Sequence, residues 1–280
     1  MSSSRLRAKR IIEITPDPLR LSDVFRELWN ARLLLLYFTA RDLKSRYRGA
    51  WLGNWWTVVR PVIEMLPYII VFGIFFKLRP TAIPYLVYLL SGFAPWLLFG
   101  NTASGATRTL ARARSLVSKV YFPRLIVPLS ELAVRSIDFA VVLASAMVAA
   151  LVFGLVPGLH LWALPIFTLM LLAMAFGTGL IVTTICTMHP HLGYGIPPGT
   201  RLLFYLSPVI YPLEIVPEAF RPWYKLNPLT TVISGIRWSL FGIDQPSALE
   251  VGLAAAATLM VLWMGLYMFL RLERRVTDIL

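Results

Sequence analysis

Between Arg41 and Gly49 the chain reads Arg-Asp-Leu-Lys-Ser-Arg-Tyr-Arg-Gly, which gathers Arg41, Lys44, Arg46 and Arg48 into one short run. Cations packed this closely can grip a phosphate, and the planar guanidinium fork suits a bidentate hold on its oxygens. The same charges can instead meet anionic phospholipid headgroups and orient the chain. Other chemistries find little support. His189 and His191 flank Pro190 with no Cys or acidic neighbour, and His160 stands far along the chain, so no metal site is expected. Gly177–Thr178–Gly179 and Gly193–Tyr194–Gly195 follow no strand and precede no Lys-Ser or Lys-Thr, which argues against a phosphate-binding loop. Gly177 and Gly179 suit close helix packing instead. No Ser–His–Asp or Cys–His arrangement can be defended, and the single Cys186 excludes an intrachain disulfide.

A second set of charges lies inside apolar stretches. Arg60 and Glu64 are spaced to pair on one helical face. Glu131, Arg135 and Asp138 fall close to a single helical stripe, where charge facing lipid is costly and must face protein, water or another charge. Two readings of that stripe stand side by side, a packing ion network and a transport path. Tyr68, Phe72, Tyr85, Tyr88, Trp96 and Phe99 add an aromatic surface on which sugar rings can stack and slide, although packed membrane helices look alike in this respect.

These residues need a scaffold, and composition dictates its kind. Of 280 residues 58% are hydrophobic and 15% charged, against roughly 25% charged in soluble domains. The net charge of +13 fits a basic surface beside anionic lipid better than a nucleic-acid partner. Apolar runs predict an all-α, polytopic membrane protein with six spans, at about 57–78, 85–110, 125–156, 161–188, 199–213 and 249–270. Residues 1–56 form a segment before the spans and 271–280 a tail, and no cleavable signal peptide is expected. Within the first segment, Leu21, Val24, Phe25, Leu28 and Trp29 recur at helical spacing, predicting an amphipathic helix at the membrane interface that continues through Leu33–Phe38. The fifth run is brief and broken at Ser207–Pro208, so its unpaired backbone must be covered by protein or by an aqueous path. Residues 214–245 read as short amphipathic helices divided by Pro217, Pro222 and Pro228.

Orientation follows from basic residues. Segments on the side of both termini hold twenty Lys and Arg, whereas the opposite segments hold five, Lys77, Arg79, Arg221, Lys225 and Arg237. That asymmetry places both termini in the cytoplasm. Arg108, Arg112, Arg114 and Lys119 crowd the loop between spans two and three, on the cytoplasmic side.

Ordered motifs then narrow the class. Residues 41–56 and Val-Val-Arg-Pro at 58–61, Val-Tyr-Phe-Pro-Arg-Leu-Ile-Val-Pro-Leu at 120–129, Tyr-Leu-Ser-Pro-Val-Ile-Tyr-Pro at 205–212 and Leu-Asn-Pro-Leu-Thr at 226–230 together resemble the ABC-2 polysaccharide-export permeases. The resemblance implies a homodimer in the bacterial inner membrane, bound to two copies of a separate nucleotide-binding subunit that would supply ATP and Mg2+. The permease would bind no cofactor and would not be an enzyme by itself. Its cargo would be a lipid-linked polysaccharide, O-antigen first, with capsule and teichoic acid chains as alternatives. The resemblance makes residues 108–120 a coupling region for the ATPase and 214–245 external gate helices. For such a cargo, the basic run Arg41, Lys44, Arg46 and Arg48 would attract the lipid pyrophosphate, and the glycan would slide along the aromatics. The loop His189–Gly199 departs from the charged stretch usual in such permeases. Two rivals are an ABC-2 exporter of a small hydrophobic compound and a membrane scaffold that transports nothing.

Overall fold

The computed structural model describes residues 21–46, 53, 56–78, 83–108, 123–156, 158 and 160–277, apart from the side chains of 21–25, 57, 58 and 273–277. Arg48, Arg112, Arg114 and Lys119 lie outside the described residues. The described chain is helical. In order it comprises α1 (Leu21–Asn30), α2 (Arg32–Arg46), α3 (Trp56–Tyr68), α4 (Tyr85–Ala106), α5 (Ile126–Val152), α6 (Leu164–Met188), α7 (Ile196–Tyr205), α8 (Arg221–Leu226), α9 (Pro228–Phe241) and α10 (Ala248–Thr277). Among the described residues four helical stretches are long and apolar enough to cross a bilayer: Tyr85–Ala106, Ile126–Val152, Leu161–Met188 and Ala248–Leu272.

The first expected span is assembled differently. α3 runs into a π-helical segment, Ile69–Phe75, in which the Phe76 N–H reaches the Val71 carbonyl at 2.9 Å. Pro67 carries no N–H, so the Ile63 carbonyl loses its helical donor just before the ladder widens.

α4 is the central post. It packs against α5, α6, α7 and α9 and is buried along most of its length. α10 lies along α6, and glycine sets how close they come. A Cβ on Gly177 would meet the Leu262 Cα at 2.7 Å, and one on Gly265 would collide with the Gly177 carbonyl. That pair fulfils the expectation of close packing at Gly177. Gly179 faces the Thr102 methyl, where a Cβ would sit at 3.2 Å.

The amphipathic segment is two helices rather than one, parted at Ala31. Leu34, Leu35 and Phe38 of α2 close over Ile126 and Val127 of α5, while Leu28 reaches a cluster with Leu180 and Phe269. Trp29, Leu33, Leu36 and Tyr37 stay exposed on the other side. The expected loop at 189–199 also folds further than anticipated. A 3₁₀ turn at Pro190–Tyr194 leads into α7, whose Pro197 lies at the helix start, where a missing N–H breaks no bond.

Residues 214–245 divide into short helices with Pro222 and Pro228 in their first turns, as expected, but their burial differs from an all-surface set. Only the first part is made of short surface pieces, Leu213–Ile215 and α8. α9 is a core helix: Leu229, Val232, Ile233, Ile236 and Leu240 are buried, and so is Arg237. It starts at Asn227, whose side chain accepts the Leu229 N–H at 3.1 Å, and ends at Gly242 with φ 71°.

Candidate functional site

Two polar clusters stand inside the apolar bundle. One lies where α7 stops at Tyr205 and the chain leaves the helix, turning through 206–212. Carbonyls freed in such a turn are costly in an apolar surround unless other groups donate to them. Arg237 donates Nη1–H to the Pro208 carbonyl at 2.7 Å and Nη2–H to that of Val209 at 2.9 Å. Tyr85 donates its hydroxyl to the Ile210 carbonyl at 3.0 Å, and Tyr88 donates to that of Tyr211 at 3.2 Å. The break expected at Ser207–Pro208 is therefore covered by protein.

Arg237 is itself enclosed, at 0% exposure. Its Nη1 also donates to the Tyr88 hydroxyl at 2.6 Å, and the guanidinium carbon sits 3.5 Å from the centre of the Tyr88 ring. Asp244 stands 3.4 Å away as its counter-ion. Burial pushes the Asp244 carboxyl up from its ordinary range, and the guanidinium draws it partly back. Gly92 makes room, since a Cβ there would strike the Arg237 Nη2 and approach the Val209 carbonyl at 2.8 Å. Counted by sequence among the external charges, Arg237 is the fixed point of the broken run. A lone Arg inside the apolar stretch Val232–Phe241 is the available signal.

The second cluster joins α2 to α5. Arg46 donates to Asp138 at 2.7 Å and stands 3.8 Å from Glu131. Arg135 bonds Glu131 at 2.6 Å and lies 3.7 Å from Asp138. Two cations and two carboxylates thus balance. The Gly105 position brings α4 against the group, because a Cβ there would lie 2.7 Å from a Glu131 oxygen. Glu131, Arg135 and Asp138 form an ion network, and Arg46 is committed to it in this conformation. Its companions differ. Arg41 pairs with Asp42 at 2.7 Å over the Phe38 ring, and Lys44 is exposed.

Arg60 and Glu64 pair at 2.8 Å as their spacing predicted, and Arg60 remains 67% exposed on α3. The aromatics separate into groups. Phe204 collects Trp96 at 5.2 Å, Tyr68 at 5.3 Å and Phe93 at 6.1 Å between ring centres. Within the chain Tyr88, Trp96 and Phe99 are buried, whereas Tyr68, Phe72 and Tyr85 are partly exposed. Arg108 is exposed just beyond α4. His189 and His191 stand 5.8 Å apart by ring centres, and no cluster of metal-ligating side chains occurs among the described residues.

The long apolar helices and the broken, protein-covered segment define a multi-pass membrane protein. The profile of the ABC-2 type transporter membrane family matches residues 34–241, and the chain belongs to that family. It is a multi-pass protein of the bacterial inner membrane, related to O-antigen and capsule export permeases. It is similar to the O-antigen export system permease protein RfbA of Klebsiella pneumoniae, with 27% identity over 249 residues, 88% of this chain and 95% of that one. The RfbA permease of Myxococcus xanthus is 27% identical over 240 residues, 85% of this chain and 92% of that one. The polysialic acid transport protein KpsM of Escherichia coli is 20% identical over 234 residues, 82% of this chain and 89% of that one.

Proposed function

We propose that this permease, as a homodimer with two copies of a separate nucleotide-binding subunit, exports a lipid-linked polysaccharide of the O-antigen type from the cytoplasmic to the external face. The observation that carries the reading is likeness along 95% of the length of an O-antigen export permease. Six spans with cytoplasmic termini complete it. ATP and Mg2+ belong to the partner subunit, which docks on the loop carrying Arg108, Arg112, Arg114 and Lys119.

The exposed Arg60–Glu64 pair supports a path between two copies. An ion pair among the exposed Val62, Ile63 and Leu66 of a membrane helix is favoured where it meets water or a second chain rather than lipid. The partly exposed Tyr68, at the end of α3, and Phe72, in the π-helical segment after it, offer stacking faces to a sliding glycan. Arg41, Lys44 and Arg48 are the headgroup residues that remain once Arg46 is held by Asp138. Deleting the gene should remove the surface glycan and leave lipid-linked glycan on the cytoplasmic face, and the wild-type chain should restore both. A deletion strain with normal surface glycan would reject the reading.

A further inference from the structure

The last membrane helix, α10, buries one face against the bundle and leaves the opposite one open. Thr258, Gly265 and Phe269 are buried, whereas Met260, Trp263, Tyr267 and Arg271 recur at helical spacing on the exposed side. That exposed face is not plain hydrocarbon. The exposed end of α5, Val148, Leu151 and Val152, is wholly aliphatic and suits the acyl chains of any lipid. On α10 three flat groups follow one another instead. The Trp263 and Tyr267 rings lie 5.4 Å apart by centres and 10° from parallel. The Arg271 guanidinium carbon then sits 4.4 Å from the centre of the Tyr267 ring.

The ring holds the guanidinium by a cation–π contact and leaves the donors along its edge open. Arg271 makes no hydrogen bond or ion pair among the described residues. A cation at the end of an apolar span, with its donors unused, calls for an anion at headgroup depth. Trp263 stands two turns earlier, about 12 Å along the helix. That distance fits within the roughly 15 Å of hydrocarbon in one leaflet. With Arg271 at the headgroups, Trp263 and Met260 therefore lie beside the acyl chains.

A phospholipid has the matching shape, a phosphate at one end and a chain below it. A zwitterionic headgroup brings its own cation to that phosphate, whereas phosphatidylglycerol presents it uncompensated. A second copy seated symmetrically on this face would set Arg271 against its counterpart with no carboxylate between them, which is unfavourable. Arg274 and Arg275 follow in the same helix and add to the basic character of this end.

We propose that Trp263, Tyr267 and Arg271 form a binding site for one anionic phospholipid of the phosphatidylglycerol class, in the leaflet that the C-terminal end of α10 enters. The binding depends on neither the export reading nor the orientation of the chain.

The test reads quenching of Trp263 by lipids with brominated chains. Full-length protein is reconstituted in phosphatidylcholine vesicles in which a minor fraction is brominated phosphatidylglycerol or brominated phosphatidylcholine. The chain has nine tryptophans, so each variant is read against the same variant carrying Trp263→Phe, and the difference isolates Trp263. Brominated phosphatidylglycerol should quench that signal with an apparent affinity about fivefold above brominated phosphatidylcholine, the preference that one Arg beside an anionic lipid supplies. Arg271→Gln should abolish the preference, and Tyr267→Leu should reduce it about twofold or more by removing the cation–π contact. Arg201→Gln deletes an exposed charge on α7 and should leave the preference unchanged. Equal quenching by the two lipids, or a preference that survives Arg271→Gln, would overturn the proposal. So would an equal loss with Arg201→Gln, which would mean a general surface attraction. Absence of quenching by either lipid would show that protein covers this face, and would overturn it as well.

Discussion

Arg237 sits where a charged side chain is hardest to accommodate, and each of its contacts explains how it is tolerated. The guanidinium satisfies the Pro208 and Val209 carbonyls, rests on the Tyr88 ring and faces Asp244. Arg237→Met should leave those carbonyls and Asp244 without a partner and cost about 3–5 kcal/mol, the range for breaking a buried pair. Arg237→Lys should recover little, because a single ammonium cannot span the two carbonyls that the fork reaches. Tyr88→Phe removes a donor to Tyr211 and an acceptor for Arg237, and should cost about 1–3 kcal/mol. Thermal unfolding in detergent micelles checks all three. Unchanged melting of Arg237→Met would show that the turn at 206–212 does not depend on this residue.

Elements meet through the ion network. α2 is held to α5 by Phe38 against Ile126 and by Arg46 against Asp138. Arg46→Gln alone leaves Asp138 short of its closest cation, whereas Arg46→Gln with Asp138→Asn removes both charges. A double-mutant cycle should therefore give a coupling of about 1–3 kcal/mol, as expected for contacting residues of one network. Additive losses would mean that the two side chains do not act together. Along the α6–α10 seam, Gly177→Leu should prevent the backbones from meeting and lower stability by several kcal/mol, roughly the penalty of overpacking with a backbone shift. Gly252→Leu on α10, with open space at its Cβ, should be tolerated in the same unfolding assay.

The same elements divide into those that local residue patterns disclose and those that only tertiary packing creates. The stripe of Glu131, Arg135 and Asp138 is legible in the sequence because helical periodicity puts the three on one face. Its fourth member is not, because Arg46 lies 92 residues from Asp138 and its neighbours in sequence suggest a phosphate grip. The break at Ser207–Pro208 is legible from composition, since Pro and a short apolar run cannot make a complete span. The partner that fills the break is harder to find: Arg237 stands out as a lone charge in the apolar stretch Val232–Phe241, but nothing local says that it reaches the Pro208 and Val209 carbonyls 29 and 28 residues away. Helix boundaries near Ala31 and Ile196 depend on tertiary packing and on the tolerance of Pro in a first turn, neither of which hydropathy reports.

At the scale of the molecule, α4 forms the buried axis, while α5 and α10 keep much of their apolar surface open to lipid or to another chain. The basic loop after α4 is expected to dock on the nucleotide-binding subunit, so Arg112→Glu with Arg114→Glu should abolish ATP-driven export while leaving the permease folded. Co-purification of the two subunits would be lost with it; intact co-purification and export would reject that contact. Reconstitution tests ATP-driven export itself. Proteoliposomes carrying this chain and its ATPase partner would be loaded from outside with lipid-linked glycan and then probed with an added glycosidase. ATP is expected to make the glycan inaccessible to the enzyme, in step with hydrolysis and only when the permease is present. Glycan that stays fully digestible, or that becomes protected equally well without this chain, would contradict it.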